Sequence, residues 1–206
     1  FLYNTLESIC SLLMLERNQD ACDMIKNLAN FYRAVLGKRE IVLPFRKELE
    51  ITRQYIAIQR VRYADNLTFT YEIDDRILDC PIIKLSLQPL VENSIKYGFC
   101  EIYEGGQIRI HVYKQDGRLI LTVYNSGIPI AEEMAEKINA LNGRPLSEAR
   151  KLFPKNAKNG YGVSNVLTRL RLKYGEEVLF TYRAEQDGTT CTIEIPGEGE
   201  QHEENL

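Results

Sequence analysis

The sequence predicts an α+β fold: a helical segment over about residues 1–64, a mixed α/β unit over about 65–197, and an acidic tail at 198–206. Three observations predict it. Apolar residues recur at helical spacing through the first third of the chain. Beyond Asp65, stretches alternate with period two, and two pairs of them are joined around Asp-Gly. Between those pairs lie helical patterns, so that two hairpins and one more strand can form a single sheet with helices segregated to one face.

Each element follows in order. Leu2, Leu6, Ile9 and Leu13 step by four, three and four, and Ile25, Leu28, Tyr32 and Val35 by three, four and three. Such stripes make an antiparallel helix pair or a coiled-coil seam. Gly37 ends the second helix. A third helix begins after Pro44, with Phe45, Leu49, Ile56 and Tyr63 on one face. "NLTFTYEI" reads as a strand. "PIIKLSLQPLVENSIKYGF" reads as a helix with Pro81 near its first turn and a kink or restart at Pro89. "GQIRIHVYKQDGRLILTVYNSG" is a hairpin and "AEEMAEKINAL" a short helix. "NGRPLSEARKLFPKNAKNG" reads as a long mobile loop, a feature that is usually functional in a compact domain. "GVSNVLTRLRLKYG" is an amphipathic helix ended by Gly175, and "EVLFTYRAEQDGTTCTIEIP" a last hairpin around Asp187-Gly188. The tail is expected to be disordered.

Composition narrows the function classes. The chain has 206 residues, 44% of them hydrophobic, enough for one core or a compact domain with a helical appendage. Its formal charge of −3 disfavours a general nucleic-acid binder. Five cysteines, an odd number without C-x-x-C spacing, disfavour a disulfide framework and a zinc site. No apolar run approaches the ~20 residues of a bilayer span, and no signal peptide is visible. The chain opens in a helical pattern without Met and is read as a piece of something longer.

Three polar clusters fall in the α/β part. They are Glu92-Asn93 with Lys96-Tyr97, then "YNSG" at 124–127, then "GYGVSN" at 160–165. Each has a plain structural alternative: a satisfied core amide, a turn closing a strand, a flexible approach to a helix. Combined, their chemistry becomes specific. A helix Asn offers a neutral hard oxygen suited to a Mg²⁺ that keeps most of its waters and also binds phosphate. Lys96, about one helical turn on, can place a point charge on phosphate oxygens. Gly160 and Gly162 let backbone N–H groups approach an anion at the positive end of the next helix. A polar strand end at Asn125 can pair with a base edge. Together they describe a Mg-nucleotide pocket. No P-loop is present, the dinucleotide fingerprint is incomplete, and the H-R-D and D-F-G motifs of eukaryotic-type kinases are absent.

These stretches carry a resemblance. "FLYNTLESI" is similar to the continuation of the histidine box of LytS/YesM-type sensor histidine kinases. "LQPLVENSIKYG" resembles their asparagine box, "VYNSG" their first glycine box, and "GYGVSNVLTRLRLKYG" their second. The resemblance covers nearly the whole chain. It implies the GHKL (Bergerat) ATP-binding fold, a mixed sheet backed by helices, preceded by dimerisation helices over 1–64. By resemblance Asn93 is the Mg²⁺ ligand, and Lys96 and Tyr97 line the phosphate and nucleoside side. Asn125 and Gly127 meet adenine; Gly160, Tyr161, Gly162 and Asn165 belong to the loop that hinges the lid and cradles phosphate. Arg144, Arg150, Lys151, Lys155 and Lys158 are lid charges or a solvated basic loop. Asn4 and Glu92 are the candidates for the catalytic step. Asn4 either orients a water for dephosphorylation of a regulator or caps helix packing.

Two departures matter. The family's phosphoacceptor histidine would directly precede Phe1, and His111 and His202 are misplaced to replace it. The chain as given is therefore expected to bind ATP without phosphorylating itself. The first glycine box usually carries Asp, here Asn125, whose oxygen still accepts a hydrogen bond, and Pro129 replaces a later glycine. The implied reaction is transfer of the ATP γ-phosphoryl to a histidine and then to an Asp of a response regulator. It would run in a homodimer on the cytoplasmic side, joined to the membrane through parts outside this sequence. The alternatives are a GHKL ATPase, whose general-base Glu position is Pro89 here, and a non-catalytic dimerisation and signalling module with a degenerate ATP site.

Overall fold

A computed structural model describes residues 1–37, 40–63, 66–99, 105–146, 148 and 161–197. Helices α1 (Leu2–Met14) and α2 (Asn18–Leu36) form the expected pair. Their buried face matches the expected stripe only in part: Ile9 is buried, and Leu28, Tyr32 and Val35 pack half-buried against the core. Thr5, Ile9 and Leu12 of α1 and Ala21, Met24 and Phe31 of α2 turn inward. Leu2, Leu6, Leu13 and Ile25 keep 42%, 46%, 49% and 49% of their surface. The cause is the third helix, which packs along one flank of the pair and leaves the other flank apolar and uncovered.

Gly37 follows α2 in an extended conformation (φ −69, ψ 149). Next comes a short strand that sequence pattern did not suggest, β1 (Val42–Pro44), and then α3 (Phe45–Arg62). Phe45, Leu49 and Ile56 of α3 are buried as expected, and so are Glu48, Ile51, Thr52, Tyr55, Ile58 and Gln59. The helix is enclosed on more than one side because α1 and α2 lie against it, as does the α/β unit.

The expected helix over 81–99 begins later. Pro81–Ile83 is strand β3, antiparallel to β1 in the register Val42↔Ile83, so this small sheet crosses the boundary expected near residue 64. Residues 84–87 bend, and α4 (Gln88–Gly98) starts with Pro89 in its first turn. Proline without an N–H suits a first turn, where that donor would have no partner. Pro89 thus marks a start and not a kink.

One five-stranded sheet carries the rest, in the order β2-β4-β5-β7-β6. Its strands are β2 (Leu67–Ile73), β4 (Gly106–Gln115), β5 (Arg118–Ser126), β6 (Leu179–Glu185) and β7 (Gly188–Pro196). β2 and β4 are parallel; the other pairs are antiparallel. The β4–β5 turn places Asp116 (φ 49) and Gly117 (φ 74) in the left-handed region that a two-residue hairpin requires. In the last hairpin Glu185 pairs with Gly188, so its turn is Gln186-Asp187, one residue earlier than expected.

Helices α4, α5 (Glu132–Asn139) and α6 (Tyr161–Tyr174) complete the fold. α4, α5 and α6 pack against the sheet, whose buried residues include Ile108, Ile110, Leu121, Val123, Phe180 and Ile193. The alternate residues, including Arg109, His111, Tyr113, Thr122, Tyr124 and Thr192, are exposed or half-buried. This is the helix-on-one-face arrangement expected from the sequence. β6 is an edge strand, but two of its residues are covered. The Asn139 amide donates to Tyr182 O and accepts from Tyr182 N, both at 2.8 Å, and Asn142 does the same for Phe180 at 2.9 Å. No helix among the described residues is long and apolar enough to cross a membrane.

Candidate nucleotide site

α4 presents Asn93, Lys96 and Tyr97 along one face, three and four residues apart. Asn93 is half-buried, while Lys96 and Tyr97 are exposed, with Lys96 Nζ 4.8 Å from the Tyr97 ring centroid. Opposite Asn93 stands the first turn of α6. A Cβ placed on Gly162 would sit 3.9 Å from Asn93 Oδ1, so this oxygen faces the start of that helix. Asn165 lies one turn further along α6 and is exposed.

Asn93 stands near a buried polar pair. Beneath it Tyr182 of β6 and Cys191 of β7 are cross-strand partners. Burial, and then the neighbouring Cys191, push the Tyr182 hydroxyl well above its ordinary pKa; a hydrogen bond from Asn93 pulls the other way. Burial likewise pushes the Cys191 thiol up to about 12, opposed by its hydrogen bond with Tyr182.

The second wall is the end of β5. Asn125 is 4% exposed, and its Nδ2 donates to Ser126 O at 3.1 Å, which leaves Oδ1 as acceptor. Gly98, at the end of α4, is required here, because a Cβ would collide with Asn125 Nδ2. The segment after Asn125 is stitched in place. Gly127 (φ 108) donates to Asp187 O at 2.8 Å, Ile128 N to Gly98 O at 3.1 Å, and Ile130 N to Thr189 Oγ1 at 2.8 Å.

The structure thus brings Asn93 to Gly162, and Asn125 and Gly127 to the end of α4. Asn4 stands apart, exposed on α1, with its carbonyl accepting from Ser8 Oγ. Glu92 is exposed and accepts from Gln88 Nε2 at 2.9 Å. It lies near Tyr55, whose hydroxyl is pushed up mainly by burial and then by the Glu92 charge. The Tyr55 ring also meets that of Phe1 at 5.2 Å, so Tyr55 bridges the start of α1 and the outer face of α4. Arg150, Lys151, Lys155, Lys158, Gly160 and the acidic tail lie outside the described residues, and Arg144 pairs with Glu148 at 3.7 Å.

The donor set is consistent with a Mg²⁺-bound triphosphate. Among the described residues no cluster of three or more His, Cys, Asp or Glu side chains could hold a metal by itself. One neutral oxygen at a helix start suits a cation that keeps its waters and takes phosphate oxygens as further ligands. Sequence reasoning missed Tyr182, Cys191, Gly98 and Thr189. They look like ordinary strand and helix residues, and only the strand register and the packing of α4 give them their roles.

Comparison with known proteins agrees with this geometry. Residues 1–67 match the family model described as histidine kinase, and residues 80–199 match that of the histidine kinase-, DNA gyrase B-, and HSP90-like ATPases. The sensor histidine kinase YesM of Bacillus subtilis is 32% identical over 95% of this chain and 31% of its own length. The sensor histidine kinase YpdA of Escherichia coli is 32% identical over 96% of this chain and 32% of its own. The chain therefore spans about a third of the length of the curated relatives it matches. Among solved structures, the catalytic domain of the histidine kinase ThkA superposes with a TM-score of 0.55 at 22% identity, over 75% of this chain and 94% of that one. ThkA in complex with the response regulator protein TrrA gives 0.51 at 18% identity, over 94% and 58%. These structures share the fold.

Proposed function

The chain belongs to the LytS/YesM-type sensor histidine kinase family, and from that premise we propose that it is a kinase core holding Mg-ATP in the groove between α4 and the start of α6. The observation that carries this reading is Asn93 Oδ1, which faces Gly162 in the first turn of α6. Asn93 would hold the metal, whose charge, when bound, offsets that of the phosphates. Lys96 adds a cation on the same face of α4. The first turn of α6 turns its backbone donors and positive end to the phosphates, with Tyr161, Gly162 and Asn165 in or beside that turn. Lys158 and Gly160, outside the described residues, would by the family resemblance contribute on the phosphate side. Asn125 Oδ1 accepts from the adenine amino group, Gly127 lets the chain turn beside the base, and Tyr97 flanks the nucleoside.

An imidazole nitrogen then attacks the γ-phosphorus, ADP leaves, and the phosphoryl group passes on to an Asp of a response regulator. Such transfer depends on positioning and charge placement more than on covalent help. The histidine is the residue that would precede Phe1 in a longer protein, and Glu92, next to Asn93 on α4, would take its proton. Asn4, one turn into α1, would orient a water for hydrolysis of the phosphoryl group on the regulator's Asp. The helical segment 1–64 would serve as dimerisation unit and residues 65–197 as ATP-binding unit. The uncovered stripe of Leu2, Leu6, Leu13 and Ile25 offers a second copy of the chain its docking face. Membrane attachment would come through other parts of the protein.

The test is phosphotransfer. A protein extended upstream through the expected Pro-His, given Mg-ATP, should gain acid-labile phosphate, and its His→Gln variant should gain none. ATP binding without any transfer would favour the signalling-module alternative.

A second expectation concerns the base. Asn125→Asp replaces an amide that donates to Ser126 O with a carboxylate that repels it. The unliganded protein should lose about 1–2 kcal/mol, the scale of one lost hydrogen bond and a buried unpaired acceptor. The preference for ATP over GTP should nonetheless sharpen, because guanine puts a carbonyl where adenine has its amino donor. Titration of both nucleotides against both proteins reads this, and an unchanged ratio would mean that Asn125 does not face the base.

A further inference from the structure

Glu48 is a buried carboxylate that the reading above does not use. It lies on α3, in the helical part of the chain, and is 0% exposed. No cation pairs with it among the described ion pairs; its partners are backbone N–H groups of a distant segment. Oε2 accepts from Leu85 N at 2.7 Å, and Oε1 accepts from Leu87 N at 2.8 Å and Gln88 N at 3.4 Å. These donors open α4, whose own N-cap residue Leu87 supplies no side-chain cap. Ser86 could have capped the helix locally, but its hydroxyl donates to Ile83 O at 2.6 Å. Leu85 holds a left-handed conformation (φ 62) that a β-carbon disfavours. The carboxylate thus stabilises a backbone shape that the segment would not adopt readily by itself.

The same segment is gripped from its other side. Arg169 of α6 donates to Leu85 O at 3.4 Å and to Lys84 O. Within residues 84–88 the N–H groups of Leu85, Leu87 and Gln88 are therefore held by Glu48 of α3, and the carbonyls of Lys84 and Leu85 by Arg169 of α6. They lead straight into α4, and Asn93 follows Gln88 by little more than one helical turn.

We propose that Glu48 is a positioning residue for the nucleotide site: by capping α4 from α3 it sets where Asn93 stands, and it ties the placement of the helical segment to Mg-ATP affinity. The proposal rests on the reading of α4 as the Mg-ATP helix. A buried carboxylate is costly unless its hydrogen bonds are made, so α4 can shift relative to α3 only by breaking them. Movement of α3 is then passed to α4 rather than absorbed at the junction.

Glu48→Gln tests it. The side chain keeps its size, but its NH₂ group meets N–H donors and at least one cap is lost. Calorimetric titration with Mg-ATP, well below the melting temperature, should give a dissociation constant about tenfold weaker than wild type. Amide exchange should accelerate at Leu85, Leu87 and Gln88 and onward through Asn93. Glu48→Asp, one methylene short, should fall between the two. Should Glu48→Gln not fold, Arg169→Met releases the same segment from its carbonyl side and is read in the same way. A folded Glu48→Gln protein with wild-type affinity, and faster exchange confined to 85–88, would reduce Glu48 to a local cap and overturn the proposal. Wild-type affinity in Asn93→Ala beside a weakened Glu48→Gln would instead remove Asn93 as the ligand while retaining control of α4 by Glu48. Separate failure of the two readings is therefore visible.

Discussion

Asn93→Ala is expected to erase the magnesium-dependent part of the stabilisation that ATP gives this protein. With Mg-ATP at a hundredfold its dissociation constant, linkage amounts to about 2.7 kcal/mol in the wild type. Loss of the oxygen that α4 turns to Gly162 removes the proposed metal ligand, so the variant should respond to ATP alike with and without Mg²⁺. The unliganded variant will also melt lower, because a half-buried polar side chain beside the buried Tyr182 is removed. The readout is therefore the difference between liganded and unliganded melting, not the melting point alone. Tyr182→Phe separates the two effects. It leaves Asn93 present but changes the buried side chain next to it, so the magnesium response should be weakened rather than abolished. An Asn93→Ala protein that still gains more from Mg-ATP than from ATP would remove Asn93 as the ligand.

Arg171→Met is expected to give the largest loss of folding stability, about 3 kcal/mol, the range for breaking a buried charged hydrogen-bond network. The guanidinium is enclosed in α6 and binds three separate carbonyls. Nη1 donates to Leu141 O at 3.0 Å and Arg144 O at 2.9 Å, and Nε and Nη2 donate to Val178 O at 3.3 Å and 3.2 Å. Glu176 lies 3.4 Å away at the surface. Burial lowers the pKa of Arg171, and Glu176 opposes that shift. Methionine fills the space but leaves those carbonyls without donors. Lysine keeps the charge yet cannot fork to three acceptors, so Arg171→Lys should recover less than half of the loss. Urea unfolding measures both variants, and a loss below about 1 kcal/mol for Met would mean that water replaces the guanidinium. Leu141 and Arg144 follow α5, where the chain departs towards the basic segment, so the methionine variant should also bind Mg-ATP more weakly.

Periodicity made most of the fold legible. The strand at 67–73, both hairpins, and the helices after Pro44 and before Gly175 follow from alternation, Asp-Gly turns and helix ends. It failed where long-range pairing decides the local state. Val42–Pro44 and Pro81–Ile83 are too short to show a period and become strands only by meeting each other. Which flank of α1 and α2 is buried depends on α3, a partner that no spacing within those helices encodes. In the candidate site, Asn93, Asn125 and the glycine loop are readable because their residue types are rare in such patterns. Glu48 sits beside Leu49 in an apolar stripe and passes for the polar side of the helix. Its role depends on backbone donors some forty residues on, contributed by a segment that sequence pattern assigned to a helix.

The most direct measurement of the central claim is amide hydrogen exchange with and without Mg-ATP. Binding between α4 and α6 should slow exchange in the second half of α4, across Asn125–Ile130 and in the first turn of α6. It should leave the outward peptides of β2, at the far edge of the sheet, unchanged. Protection that is absent, or that falls on β2 while α4 and α6 exchange as before, would contradict it.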